Sequence, residues 1–72
     1  MKFLVTMYRD EDGSFIVDCP SLPGCMSEGR TEAEALENIK DAIALCHEVR
    51  REAGLPPTVP VESYEVEVPI SA

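Results

Sequence analysis

Residues 31–54 constrain this chain more than any other stretch. Thr31-Glu32-Ala33-Glu34 has the spacing of a capping box, in which the threonine hydroxyl accepts from the amide three residues on and the glutamate reaches back to the cap. Beyond it Leu36, Ile39, Ile43 and Cys46, with Ala35, Ala42, Val49 and Ala53, recur at the three- and four-residue spacing of one buried helical stripe. Glu34, Glu37, Asp41, Glu48 and Glu52 fall away from that stripe, and Leu45 stands off it. Acids crowd the first turn and His47, Arg50 and Arg51 the last, which complements the helix dipole at both ends. Gly54 is placed to end the helix and Pro56-Pro57 prevent its continuation. One long amphipathic helix needs one apolar surface to lie on, and the remainder of the 72-residue chain has to supply it.

That remainder reads as strands. Residues 2–9 alternate, with Phe3, Val5 and Met7 on one side and Lys2, Leu4, Thr6 and Tyr8 on the other. Asp10-Glu11-Asp12-Gly13 supplies a hairpin turn, and Ser14–Cys19 a second strand with Phe15, Val17 and Cys19 inward. A third, weaker strand spans about Cys25 to Gly29, after a PSLPG connection. Residues 61–70 alternate again, Tyr64, Val66, Val68 and Ile70 against Ser63, Glu65 and Glu67, and predict a fourth strand with one apolar face. The order βββαβ makes a single α+β domain, and a right-handed crossover places the fourth strand parallel to the first or the third. One helix covers one face of such a sheet. Leu4, Tyr8 and Ile16 lie on the other by alternation, and such a patch on adjacent strands marks an interface.

Six Lys+Arg against fourteen Asp+Glu give a formal net charge of −8. Only Arg50-Arg51 are adjacent, so no basic stripe is available for a phosphate backbone, and direct nucleic-acid binding is not expected. An acidic surface suits a basic partner. The N-terminal MKFLVTMYRD, whose short apolar run is broken by Thr6, reads as neither a signal peptide nor a membrane span. A cytoplasmic chain follows from that reading, with Cys19, Cys25 and Cys46 as free thiols.

The chemical candidates are weak. A Cys19–Cys25 disulfide is sterically conceivable but unsuited to a reducing compartment. Zinc would draw on Cys19, Cys25, Cys46 and His47, yet the last two point about 100° apart on a helix and no CxxC anchor exists. Asp10, Asp12 and Gly13 lack the spacing and terminal glutamate of a calcium loop. His47 has no identifiable triad partners, and the first strand carries no carboxylate between Lys2 and Arg9 for a two-metal nuclease site. No catalytic residue, metal ligand or cofactor is therefore assigned. CPSLPGC reads as a rigid strand connector, with Leu22 tucked beneath it and Gly24 in a left-handed turn.

Three stretches together resemble the HicB antitoxin family: Tyr8 to Val17, then Pro20-Ser21-Leu22-Pro23-Gly24-Cys25, then Glu28-Gly29-Arg30-Thr31 with Glu34 to Ile43. They cover roughly residues 8–46 in the family's order and spacing. The resemblance implies a partial ribonuclease-H-like fold, strand order 3-2-1-4 with one helix, without the nuclease carboxylates. It implies a partner as well, a small basic HicA-type toxin that cleaves mRNA and whose active site the antitoxin covers. Many members of that family carry a C-terminal DNA-binding segment. This sequence stops at Ala72 after the fourth strand, so one domain without an operator-binding segment is expected.

Asp18, Ser21, Leu22 and Glu28 are the expected contacts to the toxin, and Leu4, Tyr8 and Ile16 the expected homo-oligomer interface, in a dimer or tetramer. A homo-oligomeric regulatory or scaffold protein without a toxin is the alternative. A metal-dependent hydrolase is a third reading, which the carboxylate placement argues against. No membrane partner is expected.

Overall fold

The computed structural model describes residues 1–71. Three short antiparallel strands, β1 (Thr6–Arg9), β2 (Phe15–Asp18) and β3 (Met26–Gly29), precede one helix, α1 (Glu32–Glu52). The sheet order is β1-β2-β3, with Tyr8 opposite Ile16 and Ile16 opposite Glu28. The α+β class and the three strands that precede the helix agree with the expectation, with the strands shorter than their alternating stretches.

Local chemistry explains each boundary. In the hairpin the Asp10 carbonyl accepts from the Gly13 amide at 2.9 Å, the Asp12 carboxylate accepts from the Ser14 amide at 2.9 Å, and Gly13 sits at φ 92°, a region open to glycine without penalty. Thr31 caps α1 by accepting from the Glu34 amide at 3.1 Å. Glu34 reaches back one residue further than a standard box requires, to the Arg30 amide at 3.4 Å. The far end closes as a Schellman motif, Gly54 N–H donating to Arg51 O and Leu55 N–H to Arg50 O.

The core is Val17, Cys19, Leu22, Cys25, Ala35 and Ile39, flanked by half-buried Phe3, Val5, Met7, Phe15, Ala42, Ile43 and Cys46. The helix is fastened to β3 twice. Gly29 lets its backbone approach that of Ala35, and the Asn38 side chain donates to the Glu28 carbonyl at 2.8 Å.

Two expectations need correction. Residues 61–70 form no strand here: they pair with no other described segment, and Tyr64, Val66, Val68 and Ile70 are 61–81% exposed. Arg50 Nε donates to the Pro56 carbonyl at 2.8 Å and the Val59 amide to the Ser21 carbonyl at 2.9 Å, which holds the chain leaving the helix against the β2–β3 loop. The four-stranded order 3-2-1-4 is therefore not formed within this chain's described residues.

The helical stripe is also covered less completely than its spacing suggests. The helix lies over β3 and β2 but not over β1. Leu36 is consequently 42% exposed and Val49 56% exposed, while Ile39 is at 3%.

Candidate functional site

The register decides which side chains meet on the sheet. With Met7, Val17 and Ser27 in one cross-strand row and Arg9, Phe15 and Gly29 in the next, every odd position of the three strands faces the helix. Every even position faces away: Thr6, Asp18 and Met26 in one row, Tyr8, Ile16 and Glu28 in the other. No element lies over this second face among the described residues.

Two sets of sequence-expected residues therefore share one surface. Asp18 and Glu28, expected to touch a partner, are on the same open face as Tyr8 and Ile16, expected at an oligomer interface. Leu4 precedes β1 on the same parity and is 80% exposed. Met26, at 54% exposure, belongs to the patch too, and sequence reading passed it over. The alternation of β3 is only four residues long, too short a signal to mark Met26 as outward before the register is known. The result is an apolar strip of Leu4, Tyr8, Ile16 and Met26 edged by two carboxylates, suited to a partner with an apolar centre and basic rim.

Ser21 and Leu22 sit differently. The CPSLPGC loop closes on itself, with Cys19 N–H donating to Cys25 O, Leu22 N–H to Cys19 O and Cys25 N–H to Leu22 O, each at 3.0 Å, and Gly24 at φ 78°. Leu22 is 1% exposed, so it anchors the loop from below and presents nothing to a partner. Ser21 is half-buried, and its carbonyl is taken by the Val59 amide.

The thiols are packing groups. Cys19 and Cys25 are buried, and all three cysteines are free. Burial, reinforced by the neighbouring Cys46 thiol, pushes Cys25 up to about 12, which leaves it protonated and unreactive at neutral pH. His47 packs edge-on against Phe3, ring centroids 6.5 Å apart. Among the described residues no three His, Cys, Asp or Glu side chains are grouped so as to hold a metal ion. No described helix is long and apolar enough to cross a membrane.

A family described as HicB_like antitoxin of bacterial toxin-antitoxin system matches residues 3–69. The chain is 54% identical over 43 residues to a UPF0150 protein of Thermoplasma acidophilum, covering 60% of this chain and 62% of that one. It is 34% identical to antitoxin HicB 1 of Photorhabdus laumondii and 31% identical to antitoxin HicB of Escherichia coli K12, over 99% of this chain in both cases. The match spans 47% and 54% of those two proteins, about half their length.

Proposed function

The chain belongs to the HicB-like antitoxin family, and we propose that it acts as an antitoxin by binding and occluding a small basic mRNA-cleaving toxin of the HicA type. The observation that carries this reading is the open sheet face, where Leu4, Tyr8, Ile16 and Met26 lie beside Asp18 and Glu28. A ribonuclease active site is basic because it must hold a phosphate backbone. An acidic, partly apolar face competes for such a site by charge and by shape, and the −8 net charge steers the approach.

Asp18, Glu28 and Ser21 are the proposed contacts, with Leu22 holding the loop that carries Ser21. The role is one of binding rather than catalysis, exercised in the cytoplasm where mRNA is found. Assigning Leu4, Tyr8 and Ile16 to the toxin face means that a homo-oligomer, if built there, would compete with the toxin for the same surface.

Coexpression with the short basic protein of the adjacent reading frame tests the proposal. The expected outcome is a co-purifying complex and restored growth and RNA integrity. A toxic neighbour that neither binds nor is neutralised would sink it.

A further inference from the structure

Three unsatisfied features of the fold fit one another. The first is an open groove of about 840 Å³ running beside the helix, lined by Phe3, Val5, Leu36, Ile39, Ile43 and His47. It exists because α1 lies over β3 and β2 and leaves the β1 side uncovered. The second is the outer edge of β1, which has no neighbouring strand among the described residues. The third is the exposed, unpaired segment 61–70, whose Tyr64, Val66, Val68 and Ile70 alternate with Ser63, Glu65, Glu67 and Pro69 in the two-residue period of a strand with one apolar face. We propose that residues 61–70 of one copy add to the β1 edge of a second copy as an antiparallel strand, closing the groove reciprocally in a dimer.

Backbone polarity selects the direction. The bond from Asp10 N–H to Ser14 O marks that pair as hydrogen-bonded, and antiparallel alternation makes the Tyr8–Ile16 and Thr6–Asp18 pairs hydrogen-bonded in turn. The even residues of β1 thus spend their amides on β2. Met7, an odd residue whose side chain faces inward, therefore points its N–H and C=O groups at the free edge, and continuing the alternation towards the N-terminus puts Val5 and Phe3 in the same phase. For an added strand that also faces its apolar side inward, antiparallel pairing aims the amides of Tyr64, Val66, Val68 and Ile70 at β1. Glu65, Glu67 and Pro69 then face solvent. Parallel pairing would do the reverse and aim Pro69, which has no N–H, at the ladder.

A chain's own tail cannot make the antiparallel arrangement. Val59 is fixed at Ser21, on the end of the sheet where β1 begins. To run antiparallel, Tyr64 would have to start from the Arg9 end. The five residues from Val59 reach at most about 18 Å, too little to travel the length of β1 and cross two strand spacings of about 4.8 Å each. A two-fold-related copy presents its β1 from the opposite direction, the arrangement by which reciprocal strand exchange makes a closed dimer.

The test uses the intact chain and two proline variants, at tens of micromolar, by light scattering coupled to size exclusion. Val66→Pro removes an amide aimed at β1, and Glu65→Pro removes one aimed at solvent. The expected result is a dimeric wild type and a dimeric Glu65→Pro protein, with Val66→Pro raising the dimer dissociation constant about tenfold or more. Helical circular dichroism stays unchanged in all three, since the tail lies outside the core. Mixed-isotope dimers then give intermolecular contacts between the Val66 and Val68 methyls and those of Leu36 and Ile43. A monomeric wild type, a dimer indifferent to Val66→Pro, a greater loss from Glu65→Pro, or tail contacts confined within one chain would each overturn the proposal.

Discussion

A Cβ atom built on Gly29 would lie 2.4 Å from the backbone nitrogen of Ala35, closer than any real side chain sits to a main-chain atom. The helix therefore rests on β3 backbone to backbone. The obstructing atoms are main chain, so nothing can swing aside. Gly29→Ala forces the helix off the sheet, with an expected loss of about 2–4 kcal/mol, at or above the usual range for overpacking a tight contact. Urea denaturation checks this, and a midpoint within error of wild type would mean that the helix docks elsewhere.

Ile39 reports on how much of the helical stripe is covered. It is 3% exposed and touches both layers of the core, so Ile39→Ala leaves a cavity and costs about 2–4 kcal/mol. Leu45 is 67% exposed on the same helix, and Glu48 is a surface partner of Arg51. Leu45→Ala and Glu48→Ala are expected to stay within about 0.5 kcal/mol. Equal losses at all three positions in thermal or urea melts would show that the buried face is misassigned.

Sequence legibility followed the range of the interactions involved. The DEDG turn, the Thr31 cap and the Gly54 stop were readable because a few neighbouring residues determine them. The burial of Cys19 was readable from the alternation of its strand, whereas that of Cys25 depends on a loop that closes through its own backbone. Leu36 was not readable, because its exposure depends on where the helix sits across the sheet, and the same periodicity suits a wide sheet or a narrow one. The segment 61–70 has the alternation of a strand, but alternation specifies a face and not a partner edge. The hydrogen bonds at Pro56 and Val59 hold the chain upstream of the segment and give it no partner edge. Tyr8 is expected on the uncovered face and Asp18 among the partner contacts, and only the register shows that the two share one surface.

Cys25 gives the protein an alkaline limit. Its pKa is pushed up to about 12 from 9.0, chiefly by burial. The unfolded thiol ionises near 9 while the folded one keeps its proton, so between these values the folded state binds more protons and stability falls as pH rises. Its contribution is complete below about pH 9 and is lost progressively towards pH 12. A Cys25→Ala variant should be less stable at neutral pH through lost packing, but with a shallower decline across that window. Parallel slopes for the two proteins in pH-dependent urea titrations would show that another group sets the limit.

Asp18 and Glu28 provide the sharpest test of the open face. Both are on even positions facing away from the helix, so Asp18→Lys with Glu28→Lys should leave folding intact while inverting the charge along the edge of the apolar strip. Each charge set against a basic partner across a wet surface is worth about 1 kcal/mol or somewhat more. The double variant is therefore expected to weaken binding of the coexpressed basic partner by about ten- to a hundredfold. Salt distinguishes this from incidental damage. Wild-type affinity falls as ionic strength rises, because partly exposed charges are screened beyond about 8–10 Å, whereas the double variant's affinity changes little or improves. Binding measured by calorimetry at low and high salt reads both effects. An unaltered affinity in the double variant would rule this face out as the proposed contact.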